Sequence, residues 1–258
     1  MKSDAARFGG YVAFALPVAF ALVFVRQLLE FRDPFVPWTE DAHLLLTGTG
    51  WGRTFLAGAA LALLAVPAFS LAKARPGLGW PIASALVLAL GAFPALTGHA
   101  SAGEGFGRVV TLGADILHVW AAGGWMGGLA GILFLDRLDR RASGDSGGSL
   151  LPGLVPAFSP LAMACVALLV TTGVLASWMH VSEPLALLSS AYGRTLALKL
   201  GLVAVVMAVG WMNWRRLAPR MGTSTGPAAL RRAAAVELAV AQLVLLVTAV
   251  LVRTPPPG

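Results

Sequence analysis

Four histidines are the side chains of this sequence best suited to chemistry: His43, His99, His118 and His180. Imidazole is the commonest protein ligand for transition metals. The last three lie within, or at the end of, long apolar stretches, where an ionisable side chain is costly and usually functional. The sequence therefore predicts a metal site wherever the fold gathers these histidines on one side of a membrane.

The segment around His118 carries the clearest signal. Asp115 precedes His118 by one helical turn, so on a helix the two side chains share a face. A carboxylate at this spacing either orients a metal-bound imidazole or binds the metal itself. We interpret Asp115 and His118 as a metal-binding element.

The other two intramembrane histidines also have informative neighbours. Gly98 precedes His99 and lets this turn approach another helix closely. Met179 and Glu183 flank His180, and thioether with imidazole suits Cu(I), whereas imidazole with carboxylate suits Cu(II) or Zn(II). The predicted metal ligands are His99, His118, His180, Asp115, Met179 and Glu183.

Polar and thioether side chains inside other apolar stretches predict an ion path. Lys199 lies within one such stretch, where it either snorkels outwards or pairs with Asp115 or Glu183. Met126 is a thioether that can pass Cu(I) along a path, although packing is the ordinary role of such a methionine.

Glu237 and Asn213 lie towards the opposite end of the apolar stretches from the histidines. The sequence leaves two roles open for Glu237. It is an exit ligand or proton site, or it pairs with a nearby arginine. The candidate partners are Arg215, Arg216 and Arg231.

The composition indicates an integral membrane protein. Apolar residues make up 57% of the chain and charged residues 12%, and the mean hydropathy is +0.78, whereas soluble domains have about 25% charged residues. The net charge of +7 does not indicate nucleic-acid binding, because the basic residues lie in short loops that orient helices. A single cysteine, Cys165, excludes an internal disulfide and indicates a packed thiol.

Seven apolar stretches have the length of a membrane span. We therefore predict an all-α polytopic membrane helix bundle that forms a single membrane domain over residues 1–258. The third stretch contains Pro94, so it is expected to be tilted, broken or ended early. A flexible linker rich in Gly and Ser is expected at 142–150. The predicted spans are about 8–29, 52–72, 80–97, 111–135, 156–180, 194–214 and 231–252.

Basic residues concentrate in alternate loops, and such loops are retained in the cytoplasm. This pattern predicts a cytoplasmic N-terminus and a periplasmic C-terminus. His43, His99 and His180 then lie at the outer face, and His118 lies roughly 10 Å below it at 1.5 Å per residue.

An ordered set of short segments resembles the copper resistance protein D (CopD) family of bacterial inner-membrane proteins. The likeness covers most of the chain from about residue 45 and keeps its order. The matching segments are Trp51-Gly52-Arg53, Gly98-His99-Ala100, 117–129, Thr172-Gly173 with Trp178, Tyr192-Gly193-Arg194 with Lys199, Asn213 with Pro219, and 230–237 to Pro255-Pro256.

The resemblance implies copper transport across the inner (plasma) membrane rather than an enzyme activity. On this hypothesis His99, His118 and His180 capture copper on the periplasmic side. It also implies a periplasmic copper-binding partner resembling CopC, besides the lipid bilayer. A homo-oligomer is compatible with the sequence. The alternative from the residues is a redox protein with haem b, in which His118 and either His99 or His180 ligate the iron.

Overall fold

The computed structural model describes residues 2–98, 105–143, 149–180, 190–216 and 226–251. In these ranges the chain is built of helices and contains no strand. The helices are α1 (Lys2–Phe31), α2 (Trp38–His43), α3 (Gly50–Ala74), α4 (Pro76–Gly91), α5 (Phe93–Thr97), α6 (Gly105–Ser143), α7 (Leu151–His180), α8 (Ala191–Arg216) and α9 (Gly226–Leu251). A π-helical turn, Leu44–Gly48, follows α2.

Seven of these segments are long and apolar enough to cross a membrane, with α4 and α5 together forming the third. This confirms the predicted all-α membrane fold and the number of spans. Several helices extend beyond the predicted stretches because charged ends continue them outside the apolar region. Helix α6 is the clearest case, since its 39 residues are about 58 Å long and the hydrocarbon core is ~30 Å thick.

The third span is broken, which is one of the outcomes that Pro94 predicted. Helix α4 ends at Gly91 and α5 begins at Phe93, with Ala92 between them. Pro94 falls in the first turn of α5, where its missing N–H group would have no partner in any case. The proline therefore begins a short helix instead of interrupting a long one.

The chain divides into two compact units, Met1–Trp120 and Ala121–Gly258. In the first unit, α3 packs against both α1 and α4. Its buried face consists largely of small residues, which let neighbouring backbones approach closely. At Gly79 of α4, for example, a Cβ would collide with the backbone of Ala72. The small buried residues of α3 are Gly52, Gly58, Ala62, Ala65, Ala68 and Ala72.

Aromatic rings fill the space beside this small-residue face. Phe93 lies 4.8 Å from Phe20 of α1 and 6.4 Å from Phe55 of α3, between ring centroids. Trp51 stacks on Phe55 at 4.9 Å. The break at Ala92 thus begins α5 with a ring that packs against α1 and α3.

In the second unit, α6 packs on α7 through glycines, and α8 packs on α9. A Cβ at Gly124 would lie 3.1 Å from the Sγ atom of Cys165, and one at Gly128 would collide with the ring of Phe158. Cys165 is buried, which confirms the packed thiol that the sequence predicted.

Candidate functional site

Helix α6 carries Asp115 and His118 on one face, one turn apart, and both side chains are half-buried. His118 lies about 20 Å along the axis from the start of the helix. Trp120 fixes this part of α6, since its indole Nε1 donates to the carbonyl of Leu88 at 2.9 Å and its ring packs on Gly91. An imidazole and a carboxylate therefore share one face of a membrane-spanning helix whose rotation is set by a neighbour.

Four of the six predicted ligands have no described side chain. His99 and Glu183 lie outside the described ranges, and Met179 and His180 end α7 with side chains that also lie outside the description. Within the described part of the chain, no group of three or more His, Cys, Asp or Glu side chains could hold a metal ion. The ligand set therefore stays a prediction.

Glu237 and Asn213 come together between α9 and α8. The amide Nδ2 of Asn213 donates a hydrogen bond to Oε1 of Glu237. Glu237 is 9% exposed, and a Cβ at Gly210 would lie 3.8 Å from its Oε2. The glycine thus leaves room for the carboxyl group inside the helix pair.

Two of the three arginines that were candidate partners of Glu237 interact with other side chains. Arg231 pairs with Asp136, and the guanidinium of Arg215 stands 4.9 Å from the ring centroid of Trp211. The side chain of Arg216 lies outside the description. In the described ranges Glu237 makes no ion pair, so its visible partner is a neutral amide.

The remaining predicted path residues are on different helices. Lys199 is half-buried in α8, and Met126 is half-buried in α6. The pairing of Lys199 with Asp115 or Glu183 stays a prediction.

Sequence reasoning missed the most highly coordinated carboxylate of the described chain, Asp136 near the end of α6. Its side chain is completely buried. Oδ2 accepts from Arg140 Nε at 3.1 Å and from Arg231 Nη1 at 3.3 Å. Oδ1 accepts from Ser149 Oγ at 2.6 Å and from the backbone N–H of Leu150 at 3.1 Å. Asp136 therefore ties α6 to the start of α7 and to α9.

One signal in the sequence pointed towards this cluster. Asp136 and Arg140 are four residues apart, a spacing that brings opposite charges together on a helix. The interactions with Ser149 and Arg231 have no local signal. Ser149, which falls in the predicted flexible linker, is thus anchored by a hydrogen bond.

Comparison with known proteins finds similarity to copper resistance proteins. The family model for copper resistance protein D matches residues 152–251. Copper resistance protein D of Pseudomonas syringae pv. tomato is 29% identical over 239 residues, covering 87% of this chain and 75% of the relative. The chain is thus similar to copper resistance protein D over most of its length, and residues 152–251 match the family model.

A second relative is the copper transport protein CutJ of Bacillus subtilis (strain 168). It is 29% identical over 163 residues, which cover 63% of this chain but 28% of CutJ. No solved structure matches the chain.

The CopD family match covers α7, α8 and α9 almost completely. It includes the contact between Asn213 and Glu237, and it also includes Arg231. Helix α6, with Asp115 and His118, precedes the matched residues.

Proposed function

We propose that this protein binds copper ions and transports them across the bacterial inner membrane. The observation that carries the proposal is the Asp115–His118 pair, half-buried on one face of a membrane-spanning helix in a chain that is similar to copper resistance protein D. The names of the two relatives, copper resistance protein D and copper transport protein CutJ, support the same cargo. Placing an imidazole inside a membrane span costs free energy, and binding a metal ion is a function that accounts for its presence there.

Capture of copper begins, in this proposal, at His118 on the periplasmic side. Asp115 either holds the imidazole in the orientation that binds metal or completes the coordination. His99 lies in the segment that joins α5 to α6 and is proposed as a second ligand. His180, Met179 and Glu183, which are close together in the sequence, are proposed as further candidates to be tested singly.

The contact between Glu237 and Asn213 is proposed as a second site that binds copper after His118 on its way across the membrane. A buried carboxylate without an ion pair in the described chain attracts a cation, and the neighbouring amide supplies an oxygen after a flip. Lys199 and Met126 are proposed to act on the path as a charge partner and a thioether ligand. A soluble copper-binding protein resembling CopC is proposed to deliver the ion on the periplasmic side.

The first test is the metal content of the full chain, purified in detergent from copper-supplied cells. Mass spectrometry is expected to find copper in roughly stoichiometric amount, and His118→Ala is expected to abolish it. His43→Ala is the matched control, because His43 is exposed at the end of α2. Unchanged copper stoichiometry and affinity in His118→Ala would contradict the proposal. Stoichiometric iron with a Soret band would instead favour haem b.

The second test separates binding from transport. In proteoliposomes, Glu237→Gln is expected to lower the initial copper uptake by about ten-fold, the effect of ~1.4 kcal/mol on a barrier. Copper bound at His118 is expected to stay unchanged, because glutamine can keep the hydrogen bond to Asn213. Gln242→Ala, which changes an exposed polar residue of the same helix, is the control. Equal uptake by Glu237→Gln and the parent protein would remove Glu237 from the path.

A further inference from the structure

Three arginines at the end of α6 line a cavity of about 320 Å³. Arg137, Arg140 and Arg141 are three and four residues apart, so they share one face of the helix. The cavity is an open depression on the surface of the helix and not an enclosed pocket. A guanidinium group presents a planar set of N–H donors that matches two oxygens of a phosphate at once.

One wall of this cavity is held in a fixed position. Asp136, which is completely buried, accepts from Arg140 Nε and also from Arg231 Nη1. The Nε edge of Arg140 is thus occupied, and the direction of its guanidinium is set. A side chain held in this way loses less conformational entropy when it binds a ligand.

The other two arginines have donors available for a ligand. Neither Arg137 nor Arg141 makes an ion pair in the described chain, and both are exposed. Asp139, the other acidic residue in this part of α6, likewise makes no ion pair with them among the described residues. Arginines outnumber aspartates around the cavity, so the local potential favours an anion.

The position of the cavity identifies the source of that anion. Arg137, Arg140 and Arg141 directly follow the apolar stretch 111–135 of a helix that is long and apolar enough to cross a membrane. A spanning helix reaches the lipid headgroups where its apolar stretch ends. Basic pockets at this level bind phosphorylated headgroups in membrane proteins. We propose that the end of α6 binds the phosphate group of an anionic phospholipid headgroup.

This proposal is independent of copper transport and is tested without metal. The full chain in neutral detergent is titrated with phosphatidylglycerol or with phosphatidylcholine of the same acyl chains. Thermal unfolding and native mass spectrometry report stabilisation and retained lipid. Phosphatidylglycerol is expected to raise the midpoint of unfolding as its concentration exceeds its Kd, and phosphatidylcholine is expected to have little effect.

Variants assign the binding to this cavity. Arg137→Gln with Arg141→Gln is expected to weaken phosphatidylglycerol binding by about ten-fold or more, because hydrogen bonds to a charged group are lost. Arg215→Gln is the matched control, since Arg215 stacks on Trp211 and does not line the cavity. Arg137→Lys with Arg141→Lys keeps the charge that orients the helices and is expected to lose less affinity than the glutamine variant. It serves as the test if the glutamine variant does not fold.

Three results would overturn the proposal. Equal stabilisation by the two lipids would show that the arginines only orient the helix. An equal loss of binding in Arg215→Gln would move the effect away from the cavity. Full competition by millimolar inorganic phosphate would assign the site to a soluble phosphate compound instead of a lipid.

Discussion

Helix α6 carries two carboxylates in opposite situations. Asp136 is completely buried, and four donors from Arg140, Arg231, Ser149 and Leu150 satisfy its two oxygens. Asp115 is half-buried beside His118 and makes no ion pair in the described chain. The same side chain on the same helix is therefore fully coordinated by the protein at one place and available at the other.

This difference separates a structural carboxylate from a candidate ligand. A metal ion at Asp136 would have to displace two guanidinium groups and a hydroxyl. The free energy of the hydrogen bonds lost would exceed that of the one metal–oxygen bond gained. At Asp115 a metal ion meets an acceptor that still has free lone pairs, with an imidazole one turn away. Donor saturation, and not residue type, distinguishes the two roles.

The largest effect is expected from Asp136→Asn. The change removes the charge that compensates two partly exposed arginines, and a hydrogen bond to a charged group contributes about 1.5–3 kcal/mol. Unfolding in detergent is expected to show this loss of stability. The folded fraction is expected to bind copper as the parent protein does, because Asp115 and His118 are unchanged.

Asp139→Asn is the matched control for that experiment. Asp139 lies almost one helical turn further along α6 and makes no ion pair in the described ranges, so its replacement is expected to stay within about 0.5 kcal/mol. If the two variants were equally stable, the burial and saturation of Asp136 would not matter to the fold. Asp136 would then not have the structural role that distinguishes it from Asp115.

The second largest effect is expected from Asp115→Asn, now on copper affinity. Loss of a carboxylate that orients a metal-bound imidazole typically weakens metal binding by about 10–100-fold. The stability of the apo protein is expected to change by less than about 0.5 kcal/mol, since no ion pair is lost. Titration with copper in a competing chelator measures the affinity. A Kd within two-fold of the parent value, roughly 0.4 kcal/mol, would mean that His118 acts without Asp115.

The spans of this fold were predictable because each depends on a local property, the length of an apolar stretch. The break beside Pro94 was predictable because it also depends on a local property, a proline within the stretch. The sequence placed Asn213 and Glu237 towards the same end of their spans, but it did not predict the hydrogen bond between them. The ends of α6 were not predictable from hydropathy, because residues that leave the apolar region continue as helix through charged side chains.

The cluster around Asp136 shows where sequence reasoning fails. Its two decisive partners, Ser149 and Arg231, are distant in the sequence, and Arg231 comes from another helix. Loop charges indicated only that Arg231 lies at a helix end. Convergence of the predicted histidine ligands is unpredictable for the same reason, since it depends on the order of helices in the bundle and on no local pattern.

The smallest effect is expected from Gly128→Ala, which leaves both carboxylates intact and disturbs the α6–α7 contact about two helical turns before Asp136. The new Cβ would collide with the ring of Phe158. Overpacking costs about 1–3 kcal/mol, and the better helix propensity of alanine returns about 1 kcal/mol. A net loss of about 1 kcal/mol in unfolding experiments is therefore expected, with unchanged copper affinity at His118.

Gly127→Ala is the matched control for Gly128→Ala. A Cβ at Gly127 meets no described atom within 4 Å, so alanine is expected to stabilise α6 by up to about 1 kcal/mol. Opposite signs at neighbouring positions would show that α7 presses on one face of α6 and fixes the end that carries Asp136. If both variants stabilised the protein, the ring of Phe158 would have moved aside at little cost. The burial of Asp136 would then depend on its four donors alone, without help from the glycine contact.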